Sequence, residues 1–299
     1  MTLARLLVLL ACAGCAGGCG TTASPAPAPS FVDEFDTFWT AFDTTYPYFE
    51  YKEIDWDEAA ATFRPRAAEA SSREELVDVL VEATTPMRDR HVTFETPTRG
   101  TVPTYEPDFF VNWDLDAWTA LVTAAGWDQT RPNLGSTRLE GIPYIAIGAR
   151  NPAQFTSADF DAVLERFRDD TALVLDVRPN GGGSDSLALA VAGRFADASR
   201  VVQFVQVRNG PDHSDLGPLV PRSVEPRGEW QFEGEVIVLA GRGSLSGNET
   251  FVAAMRELPH VTIVGDTTGG SSGNPETRVS GMGSPTQFRA GSRIPPTCR

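Results

Sequence analysis

A serine at the start of a predicted helix is the first candidate for chemistry in this sequence. Ser246 lies in GEVIVLAGRGSLSGNETF, residues 234–251. The apolar run 236–240 is typical of a strand buried on both faces of a parallel sheet, and helical spacing follows Ser246. A hydroxyl there would lie beside free backbone N–H groups and the positive end of a helix dipole, which stabilise developing negative charge. This position suits a nucleophile, although a lone serine before a helix more often only caps it.

A serine hydroxyl is a poor nucleophile unless a base takes its proton. Histidine is the natural candidate near neutral pH, and the chain has three. His213 lies in the polar loop PDHSD and His260 follows a proline between a helix and a strand, so we expect both at the solvated surface. His91, in DRHVTFET, would by itself be interpreted as an ordinary loop residue.

A glycine loop is the third candidate. Residues 171–183, TALVLDVRPNGGG, predict a second buried strand that ends in three glycines. The loop has neither G-x-G-x-x-G spacing nor a GK[ST] sequence, so a nucleotide phosphate site is poorly supported. Glycines after a parallel strand instead allow the backbone to approach a substrate carbonyl closely.

Four motifs occur in a fixed order: D-x-H, LDVRxNGGG, S-x-x-E and GDTTGG. Together they resemble the C-terminal-processing (tail-specific) serine peptidases. The closer resemblance is to the branch of the tricorn core and the interphotoreceptor retinoid-binding protein repeats. It covers residues 31–276, which is most of the chain.

The resemblance implies roles for particular residues. Ser246 would be the nucleophile and His91 the general base, while the backbone N–H groups of Gly182 and Gly247 would form the oxyanion hole. The larger branch of the family uses a lysine base after its GDTTGG-like segment. Here that position holds serines, and Lys52 is the only lysine in the chain, so a Ser–Lys dyad is absent.

The implied function is that of a serine peptidase that cleaves peptides or protein C-terminal tails by acyl-enzyme chemistry. No metal and no cofactor are expected. The formal net charge of −15 argues against nucleic acid as a partner. The alternative is a catalytically impaired lipoprotein with the same fold that binds peptides or a hydrophobic ligand, as the retinoid-binding relatives do.

The elements that must position these residues form two groups. Ser30, Asp55 and Ser72 are candidate N-caps of three helices in an N-terminal helical domain. From residue 142, strands alternate with helices, which predicts an α/β fold with a mainly parallel sheet. The resemblance specifies the ClpP/crotonase-like variety. The predicted strands are 92–95, 144–147, 173–177, 201–207, 236–240 and 261–264, and the predicted core helices are 157–168, 184–195 and 248–258. Residues 113–127 are left unassigned.

The N-terminus predicts export. Residues 1–15 have one arginine, an apolar run and then cysteines among small residues, which is typical of a bacterial lipoprotein signal peptide. Cys12, Cys15 and Cys19 are all possible lipidation sites, and Cys15 is preferred. We therefore expect a lipid-anchored protein of the cell envelope, on its periplasmic or extracellular face. Residues 16–30 are a flexible linker, 31–90 the helical domain and 91–276 the peptidase core.

Residues 277–299 depart from the rest of the chain. Glu276 is the last carboxylate, and the remainder holds four arginines and little strand alternation. We expect a tail that is truncated or frame-shifted relative to the family and poorly ordered beyond residue 274. Tricorn-like relatives carry in this region a glutamate that supports the base. Its absence would weaken the activity.

Overall fold

The computed structural model of the protein describes residues 30–270, 273, 275–279, 287–291 and 293–294. The predicted signal peptide, the linker up to residue 29 and the lipidation site Cys15 lie outside the described residues. Within the described part, no helix combines the length and apolar character needed to cross a membrane.

Three helices begin the described chain: α1 (Phe31–Thr45), α2 (Trp56–Glu69) and α3 (Arg73–Thr84). Each starts at its predicted N-cap, whose side chain accepts a hydrogen bond from a backbone N–H three residues later. The caps are Ser30, Asp55 and Ser72. The helix boundaries are therefore set by local hydrogen bonds that the sequence already predicts.

The helices pack around an aromatic cluster that extends past residue 90. Strands β1 (Thr93–Thr96) and β2 (Gly100–Pro103) cover it with Phe94 and Val102. The large buried members from the helices and the connector are Phe35, Phe38, Phe42, Tyr46, Tyr48, Phe49 and Trp56. Rings such as Phe49 and Trp56, 5.2 Å apart, give this region a large buried apolar area for its size.

The elements of the core follow in chain order. They are α4 (Leu115–Ala124), β3 (Asp128–Arg131), β4 (Leu134–Leu139), β5 (Ile142–Ile147), α5 (Ser157–Glu165), β6 (Ala172–Asp176), α6 (Asp185–Ala192), β7 (Arg200–Val207), β8 (Val220–Val224), β9 (Glu235–Ala240), α7 (Gly247–Arg256) and β10 (Val261–Gly265).

The core sheet has six strands in the order β10-β9-β6-β5-β4-β3. Strands β5, β6, β9 and β10 run parallel, and β3 and β4 add an antiparallel edge. The predicted α/β class and mainly parallel sheet are confirmed. Strands β6 and β9 are parallel neighbours, so their carboxyl ends lie side by side. The loops that follow them therefore meet at one edge of the sheet.

Some predicted boundaries differ. Helices α5 and α6 end at Glu165 and Ala192, about one turn before the predicted ends. The unassigned stretch 113–127 contains α4, in which only Val122 is buried. A helix that buries so little has no clear amphipathic pattern, so its periodicity could not be recognised.

The segment after residue 274 differs from the expected irregular tail. It contains β11 (Pro275–Val279), β12 (Gln287–Gly291) and β13 (Arg293–Ile294). Strand β12 pairs with β1, and β13 pairs with β7. These partners are far away in the sequence, so local alternation could not show them.

Candidate active site

Ser246 lies between β9 and α7, where the sequence predicts it. Its backbone has φ 52° and ψ −126°, in the left-handed half of the conformational map that costs a residue with a Cβ free energy. Unlike Ser30, Asp55 and Ser72, Ser246 makes no capping hydrogen bond with its side chain. The capping alternative therefore does not explain the hydroxyl, and the strained turn resembles a nucleophile elbow.

The glycine loop after β6 lies directly against this turn. A Cβ atom on Gly182 would be 2.6 Å from the Leu245 carbonyl oxygen, 2.7 Å from Ser246 Cβ and 2.9 Å from the Gly247 backbone nitrogen. Gly182 also has φ +104°. Only glycine allows this conformation and this approach together. The structure thus brings together three of the predicted site residues, Ser246, Gly247 and Gly182.

The two predicted oxyanion donors differ in their present hydrogen bonding. Gly247 is the first residue of α7, so its N–H has no acceptor within the helix. The N–H of Gly182 donates to Asn180 Oδ1 at 2.9 Å. Gly182 can bind an oxyanion only if it exchanges the Asn180 side chain for substrate. Its role as a donor stays a prediction.

Arg150, which the sequence does not single out, links the glycine loop to α7. Its backbone N–H donates to the Gly182 carbonyl at 2.6 Å, and its carbonyl accepts from the Ser184 N–H at 2.8 Å. Its fully buried side chain donates from Nη1 to Asn248 Oδ1 at 2.7 Å and lies 4.2 Å from the centre of the Phe251 ring. Burial lowers the pKa of the Arg150 guanidinium to about 9.

The GDTTGG loop after β10 packs on the same turn. The Gly269 N–H donates to the Ser244 carbonyl at 2.8 Å, and the Gly270 N–H donates to Glu249 Oε1 at 2.9 Å. Burial raises the pKa of the Glu249 carboxyl. Glu249 therefore connects α7 to this loop.

His91 lies in the turn before β1, on the helical side of the molecule. Its backbone N–H donates to Asp89 Oδ1 at 3.0 Å, and its ring Nδ1 is 3.8 Å from the same oxygen. The His91 side chain is 15% exposed, and Asp89 is buried. His91 precedes β1, which belongs to a separate four-stranded sheet. The loops of Ser246 and Gly182 follow β9 and β6 in the six-stranded core sheet. The pairing of His91 with Ser246 stays a prediction.

Models of two known protein families match this chain. Residues 142–289 match the model of peptidase family S41, and residues 27–85 match the tricorn protease C1 domain. The chain carries a peptidase family S41 domain at residues 142–289. The resemblance stated from the sequence motifs is confirmed, and the family match includes Ser246 and both glycine-rich loops that surround it.

Solved structures share the fold over most of the chain. A putative peptidase from Parabacteroides merdae is similar with a TM-score of 0.78 and 25% identity, over 89% of this chain and 84% of that one. Mature CPAF has a TM-score of 0.65 at 10% identity, over 88% of each chain, which shows the fold alone.

A curated relative of this S41 chain is the tail-specific protease of Haemophilus influenzae. It is 32% identical over 99 residues, which are 33% of this chain and 13% of that protein. The match therefore spans a small part of the relative's length.

The sequence predicts that His213 and His260 lie at the solvated surface, but both residues are only partly exposed. His213 Nε2 lies 2.9 Å from Asp43 Oδ1, and its ring lies 4.6 Å from the Phe49 ring. His260 Nε2 is buried with no hydrogen-bond partner within the described residues. The polar sequence around His213 shows only its neighbours in the chain, whereas Asp43 is 170 residues away.

Among the residues that the structure describes, no three or more His, Cys, Asp or Glu side chains are grouped to hold a metal ion.

Proposed function

We propose that this protein is a serine peptidase that hydrolyses peptide bonds through an acyl-enzyme. The Ser246 oxygen attacks the scissile carbonyl carbon while His91 accepts the hydroxyl proton. His91 then gives that proton to the leaving amine as the C–N bond breaks. Water repeats the sequence on the ester and releases the acid. The backbone N–H groups of Gly247 and the glycine loop bind the oxyanion.

The observation that carries this proposal is the conformation of Ser246. A non-glycine residue at φ 52° whose hydroxyl does not cap the helix gains no local stabilisation for its strain. Backbone strain of this kind is expected at a turn whose function is to present an exposed, correctly oriented hydroxyl. The membership in family S41 supports the same reaction.

The proposed substrates are peptides and exposed C-terminal tails of proteins. The tail-specific protease of Haemophilus influenzae supports this class by its name and its 32% identity over the matched residues. We also propose that the protein is anchored to the cell envelope by a lipid on Cys15 and acts on the periplasmic or extracellular face. The apolar run and the small residues before the cysteines support the anchor.

A fluorophosphonate probe tests the reaction, because it labels only a serine that is activated as a nucleophile. We expect labelling of the wild-type protein and none of Ser246→Ala, with nearly unchanged Tm because the hydroxyl makes no capping bond. His91→Ala should lose labelling and peptide hydrolysis as well, since members of a catalytic unit fail together.

Ser244→Ala is the matched control. Its hydroxyl is buried and donates to the Val177 carbonyl at 2.9 Å, so this variant should lose stability but keep the label. Full hydrolysis by Ser246→Ala would refute the mechanism. For the anchor, intact-mass analysis of the membrane fraction should show a lipid-modified N-terminus at Cys15, and an unmodified N-terminus beyond the cysteines would exclude it.

A further inference from the structure

Asp89 is a buried carboxylate that the mechanism above does not use. Its side chain is 3% exposed. Oδ1 accepts the backbone N–H of His91 at 3.0 Å, and Oδ2 accepts the Tyr46 hydroxyl at 3.0 Å. A buried charge needs such partners, because a buried carboxylate without them is strongly destabilising. These hydrogen bonds hold a carboxylate beside the predicted base.

The only lysine of the chain lies behind this carboxylate. Lys52 Nζ donates to the Tyr46 hydroxyl at 3.1 Å and to the Met87 carbonyl at 2.6 Å, and it lies 3.8 Å from Asp89 Oδ2. The ammonium also faces the Tyr48 ring, 5.4 Å from its centre. Lys52 therefore does not act as a substitute for the missing dyad lysine in these contacts. It compensates the charge of Asp89 from the far side.

The position of His91 relative to Asp89 is suited to orienting the imidazole. The ring Nδ1 lies 3.8 Å from Oδ1, the oxygen that already holds the His91 backbone. This distance is longer than a hydrogen bond. Catalytic hydrogen bonds are often long in free enzymes and shorten when substrate binds, and a small rotation of the ring would close this one.

We propose that Asp89 is a positioning residue that orients the His91 imidazole during catalysis, supported by Tyr46 and Lys52 from the N-terminal helical region. The inference rests on the proposed role of His91 as base. When Nδ1–H donates to Asp89, Nε2 faces away and can take the serine proton, and the carboxylate stabilises the imidazolium that forms. The N-terminal helical region thereby becomes part of the catalytic machinery.

The chain offers a matched control for this inference. His213 and Asp43 form a second histidine–aspartate pair, 2.9 Å apart, with the His213 ring against Phe49. Asp43→Asn removes the same charge from the same kind of pair. Asp89→Asn should lower kcat by at least about 10²-fold with little change in KM, whereas Asp43→Asn should leave both unchanged.

A spectroscopic measurement separates orientation from simple loss of structure. A peptidyl boronic acid adds the serine oxygen to boron and forms a tetrahedral anion, which leaves the histidine as an imidazolium. With ring-¹⁵N histidine, the adduct of the wild-type protein should show a low-field Nδ1–H resonance from His91. The resonance should be lost in Asp89→Asn and kept in Asp43→Asn.

The outcomes distinguish this inference from the proposed function. If the boronate forms no adduct with the wild-type protein, the proposed function fails, and this inference fails with it. If the adduct forms and Asp89→Asn keeps both its kcat and the resonance, only the role of Asp89 is overturned. Should Asp89→Asn not fold, the wild-type adduct decides by itself, because a tetrahedral adduct without a low-field Nδ1–H resonance from His91 would overturn the role equally.

Discussion

Ser246 and His91 are surrounded by different kinds of atoms. Backbone groups of Gly182 and Gly269 pack against the Ser246 turn, and a Cβ atom on either glycine would lie less than 3 Å from another atom. Behind His91 the neighbours are side chains: the carboxylate of Asp89, the phenol of Tyr46 and the ammonium of Lys52. The nucleophile is positioned by close packing of main chain, whereas the predicted base is positioned by a network of hydrogen bonds.

The surroundings of Ser246 and those of His91 are expected to tolerate different substitutions. A close backbone approach fails abruptly, because one methyl group cannot be accommodated by small adjustments of side chains. A hydrogen-bond network fails in steps, since each partner removed costs about 1–3 kcal/mol and the others remain. Substitutions on the two sides should therefore differ in the size of their effects.

Gly182→Ala should give the largest loss. The new Cβ would lie 2.6 Å from the Leu245 carbonyl oxygen, and the residue would keep φ +104°. We expect a loss of about 2–4 kcal/mol in the free energy of unfolding. Fluorophosphonate labelling should be absent, because the loop moves away from Ser246. Denaturant unfolding and labelling of the same sample provide the measurement.

Gly141→Ala is the control for backbone strain alone. Gly141 has φ +86° and nothing within 4 Å of an added Cβ. It should lose only about 1 kcal/mol and keep its labelling. Equal losses in the two variants would show that strain, and not close packing, dominates around Ser246.

Lys52→Met should have a smaller, graded effect. The change removes the donors to Tyr46 and to the Met87 carbonyl but leaves Asp89 its hydrogen bonds from Tyr46 and His91. We expect a loss of about 1–2 kcal/mol in the free energy of unfolding and a partial fall in kcat. Arg64→Met breaks an exposed ion pair with Asp36 and should hardly change Tm. Complete loss of activity in Lys52→Met would contradict the graded behaviour.

Most of the fold could be predicted because it depends on local signals. The N-caps Ser30, Asp55 and Ser72 bond to residues three positions away, and the apolar runs of β6 and β9 are complete within the strands themselves. The position of Ser246 at a strand–helix junction follows from the same patterns. The sequence predicts the glycine loop because a run of glycines is unusual after a buried strand.

The unpredicted contacts all join distant parts of the chain. Arg150 meets Asn248 98 residues later, and the sequence around Arg150 contains no sign of this partner. Likewise, the helical region supplies Asp43 to His213, and β12 joins β1 across most of the chain. A pattern in one segment carries no information about which other segment folds against it. The supports of the site are for this reason less predictable than the candidate residues themselves.

Glu249→Gln should have the smallest effect, and the size of that effect depends on pH. Glu249 connects α7 to the GDTTGG loop, through the Gly270 N–H and the Thr268 side chain. Burial raises the pKa of its carboxyl above the ordinary value. The native state therefore favours the protonated form, and stability is lost as the pH rises through the raised pKa. Glutamine keeps an oxygen acceptor for Gly270 without this loss.

We therefore expect Glu249→Gln to have a slightly higher Tm than the wild type at about pH 8, with the difference disappearing towards about pH 4, where the wild-type carboxyl is also neutral. The label on Ser246 should persist, because the backbone contacts remain. Glu75→Gln is the opposite control. A hydrogen bond from the Ser71 backbone lowers the pKa of Glu75, so its loss should lower Tm at high pH and matter less as the pH falls. If Glu249→Gln instead loses labelling at neutral pH, a side-chain charge helps to hold the nucleophile, and the contrast between the two sides of the site is weaker than proposed.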